Sequence, residues 1–261
     1  MNKDKLTEKL VGKNLLNEFI FLDEVDSTNK YAKDNYHNLP DNTLILASYQ
    51  TKGKGRFDRI WESGKNDNLT FTILKKFEID IDKLHLVNFY TSYILFLTLN
   101  ETLSEINDLT PVLKWPNDIL LNGKKIAGIL LEIKNMNSEN KLFIIGVGLN
   151  VNQENFSDNV NSNATSLKKE TGIIPDKEKI LENFIYRFYD NTHLISDNSR
   201  LLELWKSNSL IGENPIYFRQ YSDDTERKGT AVNIDNDGGL VIRFEDGSLK
   251  KYFSGEIRIT L

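Results

Sequence analysis

The amino-acid sequence predicts an α+β fold, in which a sheet-dominated region with helices between its strands precedes a small C-terminal β-barrel. The first observation is a series of short runs rich in aromatic and β-branched residues, which is typical of strands. The second is a set of segments between those runs with apolar residues at helical spacing. The third is a change after Ser209 to closely spaced strand-like runs with glycine turns. We therefore predict two domains, residues 1–209 and residues 210–261.

The predicted elements follow one another along the chain. The strands of the first region are expected at 18–23, 43–49, 69–74, 112–115, 125–133 and 142–151. Helices are expected to begin near 26–28, where cap-competent side chains stand, to span 82–103, to begin at Asp176 and to span 200–207. The barrel strands are expected at 216–219, 229–234, 239–244, 249–253 and 257–261.

Composition limits the class of protein. The chain has 261 residues, enough for a substantial core, and it contains no cysteine, which rules out disulfides and thiolate catalysis. The formal net charge of −5 argues against sequence-independent nucleic-acid binding, which requires a basic surface. The apolar stretch 84–103 is interrupted by polar residues and is predicted to be a buried helix, so we expect a cytoplasmic protein that does not associate with membranes.

A basic, glycine-containing loop follows the strand predicted at 43–49. Gly53 and Gly55 allow positive φ and close approach of the backbone to a ligand. Eight consecutive residues of this loop contain four cationic side chains: Lys52, Lys54, Arg56 and Arg59. Such a concentration of positive charge is suited to binding a phosphate or a carboxylate. Considered alone, a solvated basic surface loop explains the pattern about equally well.

A second segment is predicted to form a hairpin. Asn122-Gly123 is a preferred type I′ turn, and the apolar runs on either side of it can pair as strands. Asp118 and Lys125 should then lie near one another across the hairpin. Considered alone, Asn117-Asp118 after Pro116 is more simply an Asx turn.

The sequence does not match other common motifs for cofactor or metal binding. The run 144–152 contains Gly146-Val147-Gly148 but lacks the third glycine of a dinucleotide fingerprint. The three histidines are far apart and follow no metal-ligand spacing. The remaining inventory of lysines, arginines, amides and a carboxylate is typical of enzymes that stabilise phosphates by charge and a magnesium ion.

Four segments together resemble the biotin–protein ligases. In chain order they are 26–29 (Asp-Ser-Thr-Asn), the basic loop that ends in Trp61, 114–118 (Lys-Trp-Pro-Asn-Asp) with 125–128 (Lys-Ile-Ala-Gly) beyond it, and 146–150 (Gly-Val-Gly-Leu-Asn). The resemblance covers nearly the whole chain. It implies a catalytic domain with a mixed sheet and flanking helices, similar to class II tRNA synthetases and lipoate ligases, and an SH3-like C-terminal barrel.

The resemblance also implies a reaction: biotin is activated with ATP as biotinyl-5′-AMP and passed to a lysine of a biotin carboxyl carrier protein. Lys125 and Arg56 are implied as catalytic residues, and Asp118 as the residue on the magnesium side. The implied adenylate contacts are Arg56, Arg59, Trp61, Asn117 and Asn150. The implied biotin contacts are Ser27, Thr28, Asn29, Gln50, Gly53, Lys54, Gly55, Arg56, Lys125, Ala127 and Gly128.

The chain departs from the family pattern at two positions of the basic loop. Lys54 replaces an arginine and loses its bidentate geometry, and Asp58 replaces a glycine and adds negative charge. Many bacterial relatives also carry an N-terminal helix-turn-helix domain. Because the first matching motif here begins at residue 26, we expect a monofunctional ligase that does not bind an operator. The resemblance further implies a homodimer formed through an exposed sheet edge.

Two alternatives remain open at this stage. A lipoate or octanoate ligase of the same fold would use a similar mechanism, and the fold alone does not separate the two. A non-catalytic RNA- or protein-binding module built on the barrel is disfavoured by the acidic balance and by the clustered phosphate-compatible residues.

Overall fold

The computed structural model describes residues 1–106, 109–134, 139–157, 163–212, 215–220 and 225–259, and for Asp58 and Ile259 only the backbone. Its described helices are α1 (Lys3–Leu10), α2 (Thr28–Asn35), α3 (His85–Ser104), α4 (Leu167–Thr171), α5 (Lys177–Asp190) and α6 (Asn198–Ser207). The strands of the first sheet are β1 (Glu18–Leu22), β2 (Thr43–Ala47), β3 (Leu69–Glu78), β4 (Val112–Lys114), β5 (Asp118–Leu121), β6 (Lys124–Lys134) and β7 (Asn140–Leu149). Those of the second sheet are β8 (Pro215–Arg219), β9 (Glu226–Ile234), β10 (Leu240–Phe244), β11 (Leu249–Tyr252) and β12 (Glu256–Ile259).

The first sheet is mixed. Its seven strands run in the order β1-β2-β3-β7-β6-β5-β4, with β1 parallel to β2 and the other pairs antiparallel. The second sheet has five antiparallel strands in the order β11-β10-β9-β8-β12. This arrangement confirms the predicted α+β fold class. The division into two domains at residue 210 stays a prediction.

Helix α3 forms the centre of the helical layer. It is buried over most of its length and packs against α5 and α6. The indole Nε1 of Trp205 on α6 donates to the Ser92 hydroxyl on α3 at 2.9 Å, which satisfies two buried polar groups. The buried helix predicted at 82–103 is confirmed. Among the described helices, none combines the length and apolar character needed to cross a bilayer.

Local chemistry explains where several elements begin and turn. Asp176 caps α5, its carboxylate accepting from the backbone N–H groups of Glu178 and Lys179, as predicted. Asn122 and Gly123 have φ of 49° and 74°, the two positive values that a type I′ turn requires. The predicted hairpin is therefore confirmed as β5 and β6. Residues 260 and 261 of the last predicted strand lie outside the described residues.

The register of the sheet places small residues in two adjacent rows. Thr72 on β3 lies opposite Gly146 on β7, which lies opposite Leu130 on β6. In the next row, Gly148 on β7 lies between Thr70 and Gly128. Because each row has a glycine of β7 at its centre, other groups can lie directly on the sheet there.

Candidate active site

A cavity of about 200 Å³, open to solvent, lies over these rows of small residues. It brings together predicted site residues that are separated by up to 123 positions in the sequence. The predicted residues that line it are Ser27, Thr28, Asn29, Gln50, Lys54, Gly55, Arg56, Arg59, Trp61, Asn117, Asp118, Lys125, Gly128 and Asn150. Two predicted biotin contacts, Gly53 and Ala127, are not among the described residues that line it. The individual roles of all these residues stay predictions.

Gly53 and Ala127 have structural roles that explain their positions. The Gly53 carbonyl accepts from the Trp61 N–H at 2.9 Å, and a Cβ at position 53 would lie only 2.5 Å from the Trp61 carbonyl oxygen. Glycine therefore allows the two ends of the basic loop to approach each other. Ala127 is fully buried in the sheet, opposite Leu149.

The basic loop forms a compact turn beside the cavity. The Gly55 N–H donates to the Arg59 carbonyl at 2.7 Å, and Lys54 and Ile60 form an antiparallel bridge. Phe57 has a φ of 56° and a ψ of 40°, so the left-handed residue of the turn is Phe57. The side chains of Phe57 and Ile60 are 55% and 79% exposed, so the loop leaves two apolar groups in solvent.

The hairpin positions the charged end of the cavity. The Lys125 Nζ lies 2.6 Å from Asp118 Oδ1 and 5.5 Å from the centroid of the Trp61 ring. A Cβ at Gly128 would lie 3.0 Å from Lys125 Nζ and 3.3 Å from Asp118 Oδ1. Glycine at position 128 thus makes room for the ion pair, and the predicted proximity of Asp118 and Lys125 is confirmed.

Arg56 and Asn117 lie at the same end of the cavity. The Arg56 guanidinium donates to the Asn117 Oδ1 at 3.4 Å, a long contact, while the Asn117 Nδ2 donates to the Ile129 carbonyl at 2.6 Å. Asn117 is therefore held by β6 and contacts the basic loop. Together with Lys125, Arg56 gives this end of the cavity a positive charge suited to phosphate or carboxylate oxygens.

The other end of the cavity is neutral and polar. The Gln50 Oε1 accepts from the Thr28 N–H at 2.7 Å, which leaves the Gln50 Nε2 as the donating group of that amide. The Asn29 Nδ2 donates to the Leu130 carbonyl at 3.2 Å and to the Glu132 carboxylate at 3.0 Å. Because both partners are acceptors, the Asn29 Oδ1 must face the opposite way. This end thus offers a hydrogen-bond donor and an acceptor, the pair of groups that recognises a neutral cyclic urea.

Trp61 and Asn150, two of the predicted nucleotide contacts, both line the cavity. The Trp61 indole lies over Gly148, where a Cβ would come within 2.4 Å of the ring. Its Nε1 is buried and finds no hydrogen-bond acceptor among the described residues. The Asn150 amide donates to the Thr165 carbonyl at 3.1 Å and accepts from Asn68 at 3.3 Å, so both of its polar atoms are already engaged.

An ion-pair cluster connects the cavity to the second sheet. Arg59 donates from both terminal nitrogens to the Glu256 carboxylate, at 3.2 and 2.7 Å, and Arg219 donates to the same carboxylate at 2.9 Å. Burial raises the pKa of Glu256, but the hydrogen bonds from Arg59 and Arg219 outweigh it and lower that pKa to about 2. Burial also lowers the pKa of Lys114, more than the nearby Asp118 raises it.

Among the predicted site residues that line the cavity, Asp118 is the one carboxylate; Glu62 lies in the lining as well. Among the described residues there is no group of three histidines, aspartates or glutamates that would hold an ion. Magnesium is commonly held by one or two carboxylates together with substrate phosphates, so a single carboxylate fits an ion that arrives with ATP. The Asp118 carboxylate is also the ion-pair partner of Lys125, so phosphate oxygens would have to supply most of the remaining ligands.

Some residues at the site had no signal in the sequence. Thr72 lies within a predicted strand and resembles any other β-branched residue there, yet its hydroxyl contacts the residues at the neutral end of the cavity. Glu132 at the end of β6 and Glu256 on β12 resemble ordinary surface carboxylates in the sequence. Their partners lie 103 and 197 positions away, so only the fold reveals them.

Comparison with known proteins gives a consistent class. Residues 21–150 match the family described as the biotin/lipoate A/B protein ligase family. The bifunctional ligase/repressor BirA of Bacillus subtilis (strain 168) is 30% identical over 260 residues, covering 97% of this chain and 76% of that protein. The biotin–[acetyl-CoA-carboxylase] ligase of Mycobacterium tuberculosis is 28% identical over 209 residues, covering 76% of this chain and 66% of that protein.

A solved structure is similar over almost the full length. The biotin protein ligase from Aquifex aeolicus, in complex with biotin and ATP, superposes with a TM-score of 0.75 at 28% identity. The match covers 94% of this chain and 100% of that one. The fold is thus the mixed α+β fold of the biotin protein ligase structures. The chain belongs to the biotin/lipoate A/B protein ligase family, and both the Mycobacterium tuberculosis relative and the Aquifex aeolicus structure are named for biotin.

Proposed function

We propose that this protein is a biotin–protein ligase that uses ATP to form biotinyl-5′-AMP and then transfers biotin to a lysine of a biotin carboxyl carrier protein domain. The observation that carries the proposal is the polarity of the cavity. Its neutral end offers a donor and an acceptor at Gln50 and Asn29, and its other end holds Lys125, Asp118 and Arg56. Biotin has the same polarity, with a neutral ureido ring at one end and a carboxylate at the other.

In the first step, a biotin carboxylate oxygen attacks the α-phosphorus of ATP, and the bond to the leaving pyrophosphate breaks. Negative charge increases on the phosphoryl oxygens in the transition state, and the fixed cation of Lys125 stabilises it. Arg56 contacts the same phosphate and orders the basic loop over the mixed anhydride. Exclusion of water by the loop protects the intermediate from hydrolysis.

In the second step, the neutral amine of the acceptor lysine attacks the acyl carbon of the mixed anhydride. The C–O bond to AMP breaks, the amide forms, and the amine proton leaves to solvent. We assign Arg59, Trp61, Asn117 and Asn150 to the nucleotide, with Trp61 Nε1 as a donor. The remaining predicted contacts that line the cavity are assigned to biotin.

Magnesium would enter with the triphosphate, and we assign Asp118 as its protein ligand. When bound, the ion neutralises phosphate charge during the displacement. Because the reaction consumes ATP, we place it in the cytoplasm, where ATP is supplied. The net charge of −5 supports the absence of operator binding by these residues.

We propose that the protein forms a homodimer through the end of β6 that extends beyond its pairing with β5. Strand β5 pairs with β6 only as far as Gly128, whereas β7 pairs with it to Lys134. Among the described residues no strand pairs with 130–134 on the β5 side, and strand addition by a second copy would pair the backbone groups there.

The transfer step can be tested with purified protein, ATP, magnesium, biotin and an isolated biotin carrier domain. Mass spectrometry should show one biotin on one lysine of the acceptor, and an acceptor with that lysine changed to arginine should remain unmodified. An acceptor that gains lipoate or octanoate instead, when these acids are supplied, would support the lipoate-type alternative. No modification with any acid would reject the proposed function.

A further inference from the structure

The hydrogen bonds at the neutral end of the cavity continue into a chain of side chains behind it. The Thr28 and Thr72 hydroxyl oxygens lie 2.8 Å apart, and the Thr72 hydroxyl donates to the Asn29 Oδ1 at 2.6 Å. The Asn29 Nδ2 donates to Glu132, whose other oxygen accepts from Lys33 Nζ at 2.9 Å. The chain therefore runs from a fully buried threonine to a half-exposed ion pair.

This series of hydrogen bonds determines which way the Asn29 amide faces. A carboxylate accepts and does not donate, and the same is true of the Leu130 carbonyl, so only the NH₂ group of Asn29 can face them. The Thr72 hydroxyl, in turn, supplies the donor that the Asn29 Oδ1 needs on the opposite side. If the amide rotated by half a turn, the Asn29 Oδ1 would face the Leu130 carbonyl and the Glu132 carboxylate, which are also acceptors. Leaving such buried groups without hydrogen bonds would cost free energy.

The sheet also confines the amide physically. Asn29 is only 4% exposed and lies on Gly146, which stands in the same row as Thr72 and Leu130. A Cβ at Gly146 would lie 2.3 Å from the Asn29 Oδ1 and 2.8 Å from its Cγ. The Asn29 amide is thus held between the backbone of Gly146, the hydroxyl of Thr72 and the carboxylate of Glu132.

We infer that Thr72 and Glu132 are positioning residues that fix the orientation of the Asn29 amide and thereby determine how strongly the cavity binds the ureido ring. The inference rests on the proposed function and names residues outside the predicted contacts. Lys33 supports it by holding the Glu132 carboxylate in place. Thr72 and Glu132 do not act on the phosphate end, because their hydrogen bonds described above reach only the neutral end of the cavity.

The inference predicts a selective effect on biotin binding. Thr72→Val and Glu132→Leu should each raise the KM for biotin about tenfold, the value of one lost buried hydrogen bond of about 1.4 kcal/mol. The KM for ATP should change less than about twofold, because the two residues do not act on the phosphate end of the cavity. Desthiobiotin, which keeps the ureido ring, should be affected by the same factor as biotin.

The experiment measures biotin-dependent exchange of pyrophosphate into ATP by the full chain and its variants. Thr98→Val is the control for a buried hydroxyl, because the Thr98 hydroxyl donates to the Ile94 carbonyl within α3. Asp34→Asn is the control for a carboxylate ion pair on α2, its partner being Lys30 at 2.7 Å. The conservative changes Thr72→Ser and Glu132→Gln, which keep a hydroxyl and an acceptor, should restore most of the affinity.

The outcomes separate this inference from the proposed function. If the unchanged chain exchanges with biotin but Thr72→Val and Glu132→Leu resemble their controls, the inference is rejected alone. If the unchanged chain shows no exchange with biotin, the proposed function and the inference fail together. If Thr72→Val does not fold, Glu132→Leu decides, because the Glu132 side chain is 31% exposed and its loss leaves the core intact.

Discussion

At the scale of single residues, the contact between Lys125 and Asp118 depends on one turn. The positive φ values of Asn122 and Gly123 form the tight hairpin, and the missing side chain at Gly128 leaves space for both charged groups. Paired with a carboxylate at 2.6 Å, the lysine keeps a fixed position before any ligand arrives. Such preorganisation is what makes a cation effective against charge that develops in a transition state.

The first prediction concerns this lysine. Lys125→Ala should lower biotin-dependent pyrophosphate exchange at least about 100-fold, because a preorganised charge at the reacting phosphate is removed. Lys124→Ala is the matched control: Lys124 is the exposed neighbour on the same strand, and its loss should leave exchange unchanged. Equal activity of the two variants would reject the role assigned to Lys125.

A second prediction concerns Arg56. Arg56→Ala should retain adenylate formation but hold the intermediate less well, because the basic loop loses its contact with the phosphate. Released biotinyl-5′-AMP would then label exposed lysines of bystander proteins such as serum albumin, which streptavidin blotting detects. Lys65→Ala, at an exposed lysine outside the cavity lining, is the control. Absence of bystander labelling by Arg56→Ala would contradict the assignment.

At the scale of elements, β12 of the second sheet holds the basic loop of the first region through Glu256. This carboxylate accepts from Arg59 and Arg219, so three elements share one ion-pair cluster. The half-buried setting of Glu256 makes the cluster stronger than an exposed surface pair. The second sheet thus contributes a side chain that fixes one residue of the cavity lining.

The third prediction concerns pH. The pKa of Glu256 lies at about 2, below the ordinary value of 4.5, so its ionised form is favoured by folding. Its stabilising effect is complete above about pH 4.5 and is lost as the pH falls toward about 2. The free energy of unfolding of Glu256→Gln should therefore be lower than that of the unchanged chain at pH 7, and the gap should narrow below pH 4.5.

Urea denaturation at a series of pH values measures this gap. Glu226→Gln is the control, because Glu226 pairs with Arg258 at 2.7 Å on the exposed side of the same sheet. Its effect at pH 7 should be smaller, as is usual for exposed pairs. A gap for Glu256→Gln that is constant with pH would contradict the assigned ion-pair cluster.

The elements also indicate what local sequence can predict. The Asp176 cap, the type I′ turn and the long buried helix all follow from neighbouring residues, and all three are confirmed. Helix α1 was not predicted, because it is a short helix with charged residues between its apolar positions, and its fixed position depends on packing of Leu6 and Leu10 in the core. Helix α4, of five residues, was also missed because so short a segment has no periodicity.

At the scale of the whole molecule, the sheet converts four distant motifs into one cavity. The register of β3, β7 and β6 aligns Gly146 and Gly148 with small neighbours, and Asn29 and Trp61 occupy the space that these glycines leave. The motifs could be found in the sequence because each contains glycines or residues typical of turns and caps. The positioning residues Thr72 and Glu132 could not, since nothing in their local sequence distinguishes them from other strand residues.

The central claim is that this cavity activates biotin with ATP. Exchange of labelled pyrophosphate into ATP by the purified protein and magnesium tests it most directly, with biotin, lipoate or octanoate added separately. We predict exchange with biotin and none with the other two acids. Exchange with lipoate or octanoate but not with biotin, or no exchange with any acid, would contradict the claim.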